Sequence, residues 1–143
     1  MSFACVMLLI QSCDNKEISR PVTASQNSNA VTDQTAALTK PAPGNYTVKL
    51  YVENGDTSTV EFTGYVFTFK ANGTLLATAD SVTYKGKWES KNNGTQLKLD
   101  IEGTDALKDV DKGWDVVKIT NVQISLKDNQ GQFGDQLVFV KTK

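Results

Sequence analysis

Apolar and polar residues alternate along most of the chain from Asn45 onward, and turn-forming residues interrupt the alternation about every 10 residues. In residues 46–52, for example, every even position is apolar. No run in this region keeps the spacing of an amphipathic helix for more than two turns. Because successive side chains of a strand point to opposite faces of a sheet, the alternation gives each strand one buried face. The sequence therefore predicts an all-β domain.

The turn signals divide this region into eight predicted strands. Asn72-Gly73 is the strongest of these signals, because both residues tolerate the positive φ that a two-residue hairpin turn needs. The connection at residues 102–113 is longer and has room for one helical turn. Eight antiparallel strands joined in chain order are predicted to close into a small barrel, since closure removes the exposed edges of an open sheet. A strongly coiled open sheet and a sandwich are the alternatives.

The apolar side chains change phase early in this region. Val60 and Phe62 continue the even positions of residues 46–52 and are expected in a strand, whereas Phe67 falls on an odd position. One extra residue in a strand shifts the alternation by one and forms a β-bulge. We therefore expect a β-bulge at Gly64.

The chain contains no histidine, which excludes Ser-His-Asp and Cys-His catalysis and most catalytic zinc and copper sites. The 15 Lys and Arg residues nearly balance the 16 Asp and Glu residues, so no nucleic-acid partner bound by a basic surface is expected. Paired carboxylates are the remaining route to catalysis, and the candidates fall mainly on polar faces of predicted strands: Glu53, Glu61, Glu89, Asp100 and Glu102. The sequence therefore predicts a protein that is not an enzyme and that has no cofactor.

An acidic segment in the second half of the domain superficially resembles a calcium-binding loop; its carboxylates are Asp105, Asp109, Asp111 and Asp115. A loop of the EF-hand type needs a bidentate Glu at its twelfth position, and counting from Asp109 that position is Thr120. Lys108 and Lys112 also dilute the negative charge. We therefore predict a solvated surface loop and no metal site.

A short apolar segment precedes the second of the two cysteines. Residues 3–10 form an uninterrupted apolar run that is too short to span a bilayer but suits a signal peptide, although no Lys or Arg precedes it. The sequence IQSC at residues 10–13 resembles a bacterial lipobox, in which an aliphatic and a small residue precede the cysteine that receives a diacylglyceryl group. The resemblance implies that residues 1–12 are a lipoprotein signal peptide and that lipidated Cys13 holds the protein in a membrane.

Residues 14–44 have a different composition from the rest of the chain. They are rich in Ser, Thr, Asn, Gln and Ala, hold all three prolines and contain no aromatic residue. Such a segment cannot bury enough apolar surface to offset the entropy of ordering it. We therefore expect residues 13–44 to be the lipidated cysteine with a disordered, flexible linker, and residues 45–143 to form the folded domain.

Several turn and core segments of the folded region stand in a characteristic order: GYVFTFKANGT at residues 64–74, YKGKW at 84–88, LKL at 97–99, GWDVV at 113–117, ISLKD at 124–128 and QLVF at 136–139. Over essentially residues 44–141 they resemble the lipocalin-like domains of small lipoproteins from Bacteroidetes-type bacteria. The Gly-x-Trp with which lipocalins usually open is replaced by Gly44-Asn45-Tyr46. The resemblance implies an eight-stranded barrel in the cell envelope, held at the outer membrane, and at most a small hydrophobic ligand.

Five aromatic residues are the candidates for lining a ligand cavity: Phe67, Phe69, Tyr84, Trp88 and Trp114. The alternative is that they fill the core, because an eight-stranded barrel is just wide enough for side chains or for one small ligand. A cavity favours a carrier of a hydrophobic molecule, whereas a filled core favours a module that docks an envelope protein or glycan. Tyr51, predicted on an outward face, and Phe133, predicted in a loop, are the candidates for a docking patch.

Two smaller expectations complete the interpretation. Asp80-Ser81-Val82 matches a short pattern that resembles the protein O-glycosylation signal of Bacteroidetes, although the same residues also suit an ordinary hairpin turn. Glycosylation of Ser81 is therefore a minor prediction. We also expect a monomer whose membrane partner is reached through the N-terminal lipid, on a membrane face that the sequence leaves open.

Overall fold

The structure is a computed structural model that describes residues 36–143. The predicted signal peptide (residues 1–12), the predicted lipidation site Cys13 and the predicted linker up to residue 35 lie outside the described residues. The strands of the described part are β1 (Gly44–Glu53), β2 (Asp56–Thr57), β3 (Val66–Phe69), β4 (Thr74–Ala79), β5 (Val82–Lys91), β6 (Gln96–Ile101), β7 (Gly113–Ile119), β8 (Gln123–Asp128) and β9 (Asp135–Lys141). One α-helix, α1 (Asp105–Val110), and two 3₁₀ turns, Thr59–Phe62 and Asn92–Gly94, lie between them.

The strands form one closed antiparallel sheet. From β3 to β9 each strand pairs with the next, and β1 pairs with both β3 and β9. Tyr46 of β1 accordingly lies opposite Phe67 of β3 on one side and Lys141 of β9 on the other. The two-residue β2 only extends the turn after β1. The predicted eight-stranded antiparallel barrel is therefore confirmed, with β1 and β3–β9 as its eight strands, and residues 36–143 form neither the open sheet nor the sandwich.

The change of phase occurs inside β1, at Lys49. The pairing register between β1 and β9 shifts there by one residue, so Lys49 is the extra residue of a β-bulge. As a consequence Tyr51 turns into the barrel and is fully buried. The prediction that Tyr51 faces outward is wrong, because alternation counted along one strand does not detect a bulge that pairing with another strand creates.

The segment expected to be a strand through Val60 and Phe62 is instead the first 3₁₀ turn. Thr59 Oγ1 accepts a hydrogen bond from the Tyr51 N–H at 2.7 Å, so a side chain takes the place of a strand partner. The turn buries Phe62 and leaves Val60 77% exposed. Gly64 has a φ of 88° and reverses the chain into β3, a conformation that glycine adopts without strain. The predicted bulge at Gly64 is thus a turn between elements rather than an interruption of one strand.

Twenty buried apolar side chains form one continuous core inside the barrel. Each of the eight barrel strands contributes at least one of them, and α1 adds Leu107 and Val110. Leu97, Leu99 and Ile101, which alternate with polar residues along β6, are all buried. The core is therefore the shared inner face of the alternating strands.

The end of the barrel where β1, β4, β6 and β8 begin is called the bottom, and the opposite end the top. At the bottom, the described part of the predicted linker contacts the barrel. The Leu38 N–H donates a hydrogen bond to the carbonyl oxygen of Ile119 at 2.7 Å, and Ser90 Oγ donates one to the carbonyl oxygen of Thr39 at 2.6 Å. The Leu38 side chain packs against the core. The chain therefore enters the barrel at its bottom and covers that end as it does so.

Candidate functional site

The five residues predicted to line a cavity all contribute to the barrel interior. Phe67, Phe69 and Trp114 are fully buried, and Trp88 is 8% exposed. Tyr84 is partly exposed and packs against the core. These side chains do not form a single lining, however, because they separate into a cluster in the lower part of the barrel and two rings at its top.

The lower cluster is centred on Phe139. Its ring centroid lies 5.0 Å from that of Phe67 and 5.5 Å from that of Phe69, in edge-to-face arrangements. Phe69 in turn lies 5.3 Å from Tyr46 and 6.2 Å from Trp88. Aromatic rings at these separations are in direct contact. The side chains of this cluster therefore fill the lower interior of the barrel.

Trp114 and Tyr84 lie at the top, beside the segment that contains α1. Trp114 Nε1 donates a hydrogen bond to the carbonyl oxygen of Val110 at 3.0 Å and so fastens the end of the helix to β7. Tyr84 lies against Gly103, where a Cβ would come within 2.7 Å of a Tyr84 ring carbon. Both aromatic rings therefore support the cover over the top of the barrel.

Five further aromatic residues share the core: Tyr46, Tyr51, Phe62, Tyr65 and Phe139. The alternation of β9 would have been enough to identify Phe139, because it lies two positions after the buried Leu137. It could not identify Tyr51 or Phe62, because a bulge and a 3₁₀ turn decide where these two side chains point. Their rings meet edge to face near the top of the barrel, 5.1 Å apart.

Tyr46 and Tyr51 are both fully buried but differ in hydrogen bonding. Tyr46 Oη donates to the carbonyl oxygen of Ala42 at 2.7 Å, and burial raises the pKa of Tyr46 to about 12. Tyr51 Oη has no hydrogen-bond partner within residues 36–143. Burial, together with the carboxylates of Glu53 and Asp109, raises the pKa of Tyr51 above its usual value. A buried hydroxyl without a partner costs about 1–3 kcal/mol, so Tyr51 Oη is the interior atom that a bound polar group would satisfy.

A half-buried cluster of charges joins three strands at the top. Lys112 Nζ lies 2.6 Å from Asp135 Oδ2 and 3.0 Å from Asp128 Oδ2, and it also lies 4.6 Å above the centre of the Trp114 ring. Burial alone would lower the pKa of Lys112, but its hydrogen bonds to Asp135 and Asp128 outweigh burial and raise it. Burial alone would raise the pKa of Asp135, but hydrogen bonds from Lys112 and from the Asn54 N–H outweigh burial and lower it. The cluster therefore holds the start of β7 against the end of β8 and the start of β9.

Phe133, one of the two candidates for a docking patch, lies in the loop between β8 and β9 and is 66% exposed. It lines a surface depression of about 350 Å³ together with Val117 and Val138. Val117 lies where the register between β7 and β8 shifts, and it is 58% exposed. The outer side of β7–β9 therefore carries two exposed apolar side chains, Val117 and Phe133, whereas Tyr51, the other candidate, lies inside.

Another depression lies on the outside near the bottom hairpins and has a volume of about 360 Å³. Trp88, a predicted cavity residue, lines it together with charged side chains that include Lys87 and Lys98. Most of its lining residues are polar, and it opens to the surface rather than into the core. It therefore does not resemble the apolar cavity of a hydrophobic carrier.

The acidic segment before β7 does not gather its carboxylates. Asp105 pairs with Lys108 at 2.9 Å, and Asp115 accepts hydrogen bonds from the side-chain amides of Gln96 and Asn129. Within residues 36–143 no group of three or more Cys, Asp and Glu side chains is arranged to hold a metal ion. In the same part of the chain no helix has the length and apolar character to cross a bilayer.

Ser81, the predicted glycosylation site, lies in the two-residue turn between β4 and β5. Asp80 and Ser81 both have positive φ, at 50° and 73°, as a hairpin turn of this kind requires. Ser81 is exposed. The turn geometry by itself explains why Asp80 and Ser81 occur at these positions, and glycosylation of Ser81 is not needed to explain them.

The fold and the interior together define a small antiparallel barrel that is lipocalin-like in coarse architecture: eight strands close around one core, with a helix over the top. No protein-family model matches the chain, and no curated protein matches it. Among solved structures, a DUF4847 family protein from Bacteroides vulgatus is similar, with a TM-score of 0.51 and 14% sequence identity. The alignment covers 71% of this chain and 94% of that one. At this identity the likeness concerns the fold alone.

Proposed function

We propose that the chain is a lipoprotein of the bacterial cell envelope, held at the outer membrane by a lipid on Cys13, and that its barrel acts through its surface. On this proposal it neither catalyses a reaction nor carries a ligand. The lipobox-like sequence at residues 10–13 supports the anchor. The similar structure from Bacteroides vulgatus supports the barrel fold that this proposal assumes.

The filled interior is the observation that favours a surface function over a carrier function. Phe139 contacts both Phe67 and Phe69 in the lower barrel, where a carrier would need open volume. The bottom is covered by the segment around Leu38, and the top by α1. A hydrophobic ligand would therefore have to displace packed side chains before it could enter.

The anchor is tested by intact mass spectrometry of the protein from membrane fractions of a bacterial host. The expected result is a mature chain that begins at Cys13 and carries the added mass of a diacylglyceryl group and a further acyl chain. The control is Cys13→Ser, which is expected to leave the membrane fraction. An unmodified Cys13 in a soluble mature chain would overturn the anchor.

The filled interior is tested by titrating the protein with fatty acids and small aromatic probes while the tryptophan fluorescence is recorded. The expected result is no saturable change for the natural chain. Phe139→Ala serves as the control, because the volume left by the ring should admit a small apolar probe; Leu126→Ala provides a second cavity if that variant does not fold. Saturable binding by the natural chain with a micromolar dissociation constant would overturn the proposal.

A second candidate function, the transport of a small amphipathic molecule, is favoured by Tyr51. Its hydroxyl is fully buried and has no partner within the described part of the chain, so a polar headgroup could bind it if α1 moved aside. This function predicts ligand binding by the natural chain and its loss in Tyr51→Phe. The same titration therefore separates the two functions.

A further inference from the structure

The charged side chains of residues 36–143 are separated by the ends of the barrel. This part of the chain has 13 lysines, no arginine and 13 acidic residues, so its formal net charge is zero. None of the turns and terminal segments at the bottom, residues 36–45, 70–74, 91–96, 119–123 and 141–143, contains Asp or Glu. Five lysines lie in these segments and a sixth, Lys118, directly precedes residues 119–123, which gives Lys40, Lys70, Lys91, Lys118, Lys141 and Lys143 at the bottom.

The top has the opposite sign. Its turns and strand ends hold ten acidic residues: Glu53, Asp56, Glu61, Asp80, Glu102, Asp105, Asp109, Asp111, Asp128 and Asp135. The lysines at this end are Lys108, Lys112 and Lys127, and the first two already pair with top carboxylates. A barrel that is neutral as a whole therefore has a basic end and an acidic end.

Within residues 36–143, most of the bottom lysines have no acidic partner. Lys40, Lys70, Lys118 and Lys143 are exposed. Lys91 lies 3.4 Å from Glu89, and Lys141 is half-buried with its ammonium 5.9 Å from the centre of the Tyr46 ring. Because these lysines lie on different turns around one rim, they present a ring of positive charge instead of a single contact.

The basic end is also the end at which the chain enters the barrel. Residues 38 and 39 hydrogen-bond to Ile119 and Ser90 at the bottom, and β1 begins there at Gly44. An anchor on Cys13 would therefore be attached through the basic end of the barrel and not through the acidic end. The positive charge and the point at which the chain enters the barrel therefore lie on the same surface.

We propose that the bottom of the barrel docks on a membrane surface rich in anionic phospholipid, with the acidic top facing away. This inference rests on the proposed anchor, because the anchor keeps the weak electrostatic contact at the membrane. The lysines attract the headgroups of phosphatidylglycerol and similar lipids, and the attraction decays over about 10 Å at moderate salt. The contact orients the barrel, so that partners meet its acidic top and the exposed apolar side chains beside Phe133.

The test uses the mature chain from residue 13 with Cys13→Ser, so that no lipid contributes. Its co-sedimentation is measured with vesicles of phosphatidylcholine alone and of phosphatidylcholine mixed with phosphatidylglycerol, at low and high salt. We expect binding to the mixed vesicles only, and weaker binding at high salt.

Two matched triple variants locate the contact. Lys70→Gln, Lys118→Gln and Lys143→Gln together remove three bottom lysines, and each lysine near an anionic surface contributes about fivefold to partitioning, so the expected loss is about a hundredfold. Lys49→Gln, Lys85→Gln and Lys127→Gln change the net charge equally but lie away from the bottom, so a much smaller loss is expected. Circular dichroism melting confirms that both variants fold.

Binding of the Cys13→Ser chain to neither kind of vesicle, equal binding to both kinds, or equal losses in the two triple variants would overturn the docking surface. Because the chain in this experiment carries no lipid, these results are independent of whether Cys13 is lipidated in the cell. Conversely, an unmodified Cys13 in the mass measurement would remove the anchor while leaving the vesicle result as it stands.

Discussion

Lys112 Nζ lies 2.6 Å from Asp135 Oδ2, although Asp135 is the residue directly opposite Asp128 in the pairing of β8 with β9. Like charges directly opposite each other in a sheet repel. The same ammonium lies 3.0 Å from Asp128 Oδ2, so one lysine from the start of β7 neutralises a pair of carboxylates that would otherwise open the last hairpin. This relationship suggests the first two predictions.

Lys112→Met is expected to lower the free energy of unfolding by about 1–2 kcal/mol, because it leaves Asp128 and Asp135 facing each other without a cation. The Lys112 side chain is 31% exposed, and solvent screening keeps the loss below that of a fully buried pair. Urea unfolding at neutral pH measures the change. Lys108→Met, which breaks the exposed pair with Asp105, is the matched control and is expected to change little. Equal effects of the two substitutions would contradict the structural role of Lys112.

The stability that Asp135 contributes is expected to disappear in acid. Its pKa in the folded state is lower than its usual value of 3.8, so the stabilisation is present above that pH and is lost as the pH falls through the lower folded value. The difference in unfolding midpoint between the natural chain and Asp135→Asn should therefore be largest near neutral pH and shrink below pH 3.8. Urea titrations at several acidic pH values would show it, and a constant difference would speak against the pairing.

Two tyrosine-to-phenylalanine substitutions should have opposite effects. Tyr51→Phe removes a buried hydroxyl without a partner and is expected to leave the stability unchanged or to raise it by about 1 kcal/mol. Tyr46→Phe removes the hydrogen bond to the Ala42 carbonyl and is expected to cost about 1 kcal/mol. Thermal melting of the two variants beside the natural chain provides the comparison. A larger loss in Tyr51→Phe would mean that its hydroxyl has a partner after all.

Alkaline pH should unfold the barrel through the same two tyrosines. Because burial raises the pKa of Tyr46 to about 12, the folded state holds this phenol neutral, and the stability it contributes is fully present below pH 10 and lost as the pH approaches 12. The ultraviolet absorbance of phenolate should therefore rise together with the loss of near-ultraviolet circular dichroism. Ionisation of Tyr46 and Tyr51 near pH 10 without loss of structure is the contrary outcome.

Gly86 is expected to be intolerant of a side chain. It lies opposite Ile101, and a Cβ at Gly86 would lie 2.7 Å from the Ile101 Cβ and still closer to the carbonyl oxygen of Asp100. Gly86→Ala should therefore cost about 1–3 kcal/mol through overpacking. Gly113→Ala is the control, because a Cβ there meets no atom within 4 Å, and its effect should stay within about 0.5 kcal/mol. Equal melting temperatures for the two variants would show that β5 and β6 can separate without loss.

Much of the fold could be predicted from local sequence. The predicted turn at Asn72-Gly73 separates β3 from β4, and the longer connection at residues 102–113 contains α1 as expected. These elements depend on alternation and turn chemistry, which act between residues close in sequence. The burial of Phe67, Phe69 and Trp114 follows from the same alternation.

The candidate site was less accessible to sequence reasoning. Alternation predicts that an aromatic side chain points inward, but not whether it meets another ring or borders a space. Phe139 fills the space between Phe67 and Phe69 only because β9 pairs with β1 and closes the barrel. That contact joins residues about 70 positions apart, so no local pattern contains it.

The sequence by itself determined the alternating strands, their turns, the lack of histidine chemistry and the lipobox-like segment. Only the tertiary structure decided that Lys49 is a bulge and that Tyr51 is therefore buried, because a bulge is defined by the partner strand and not by the strand that contains it. It also decided where the charges lie. Acidic and basic residues are mixed along the chain, but antiparallel strands return every second turn to the same end, so closure of the barrel collects lysines at the bottom and carboxylates at the top.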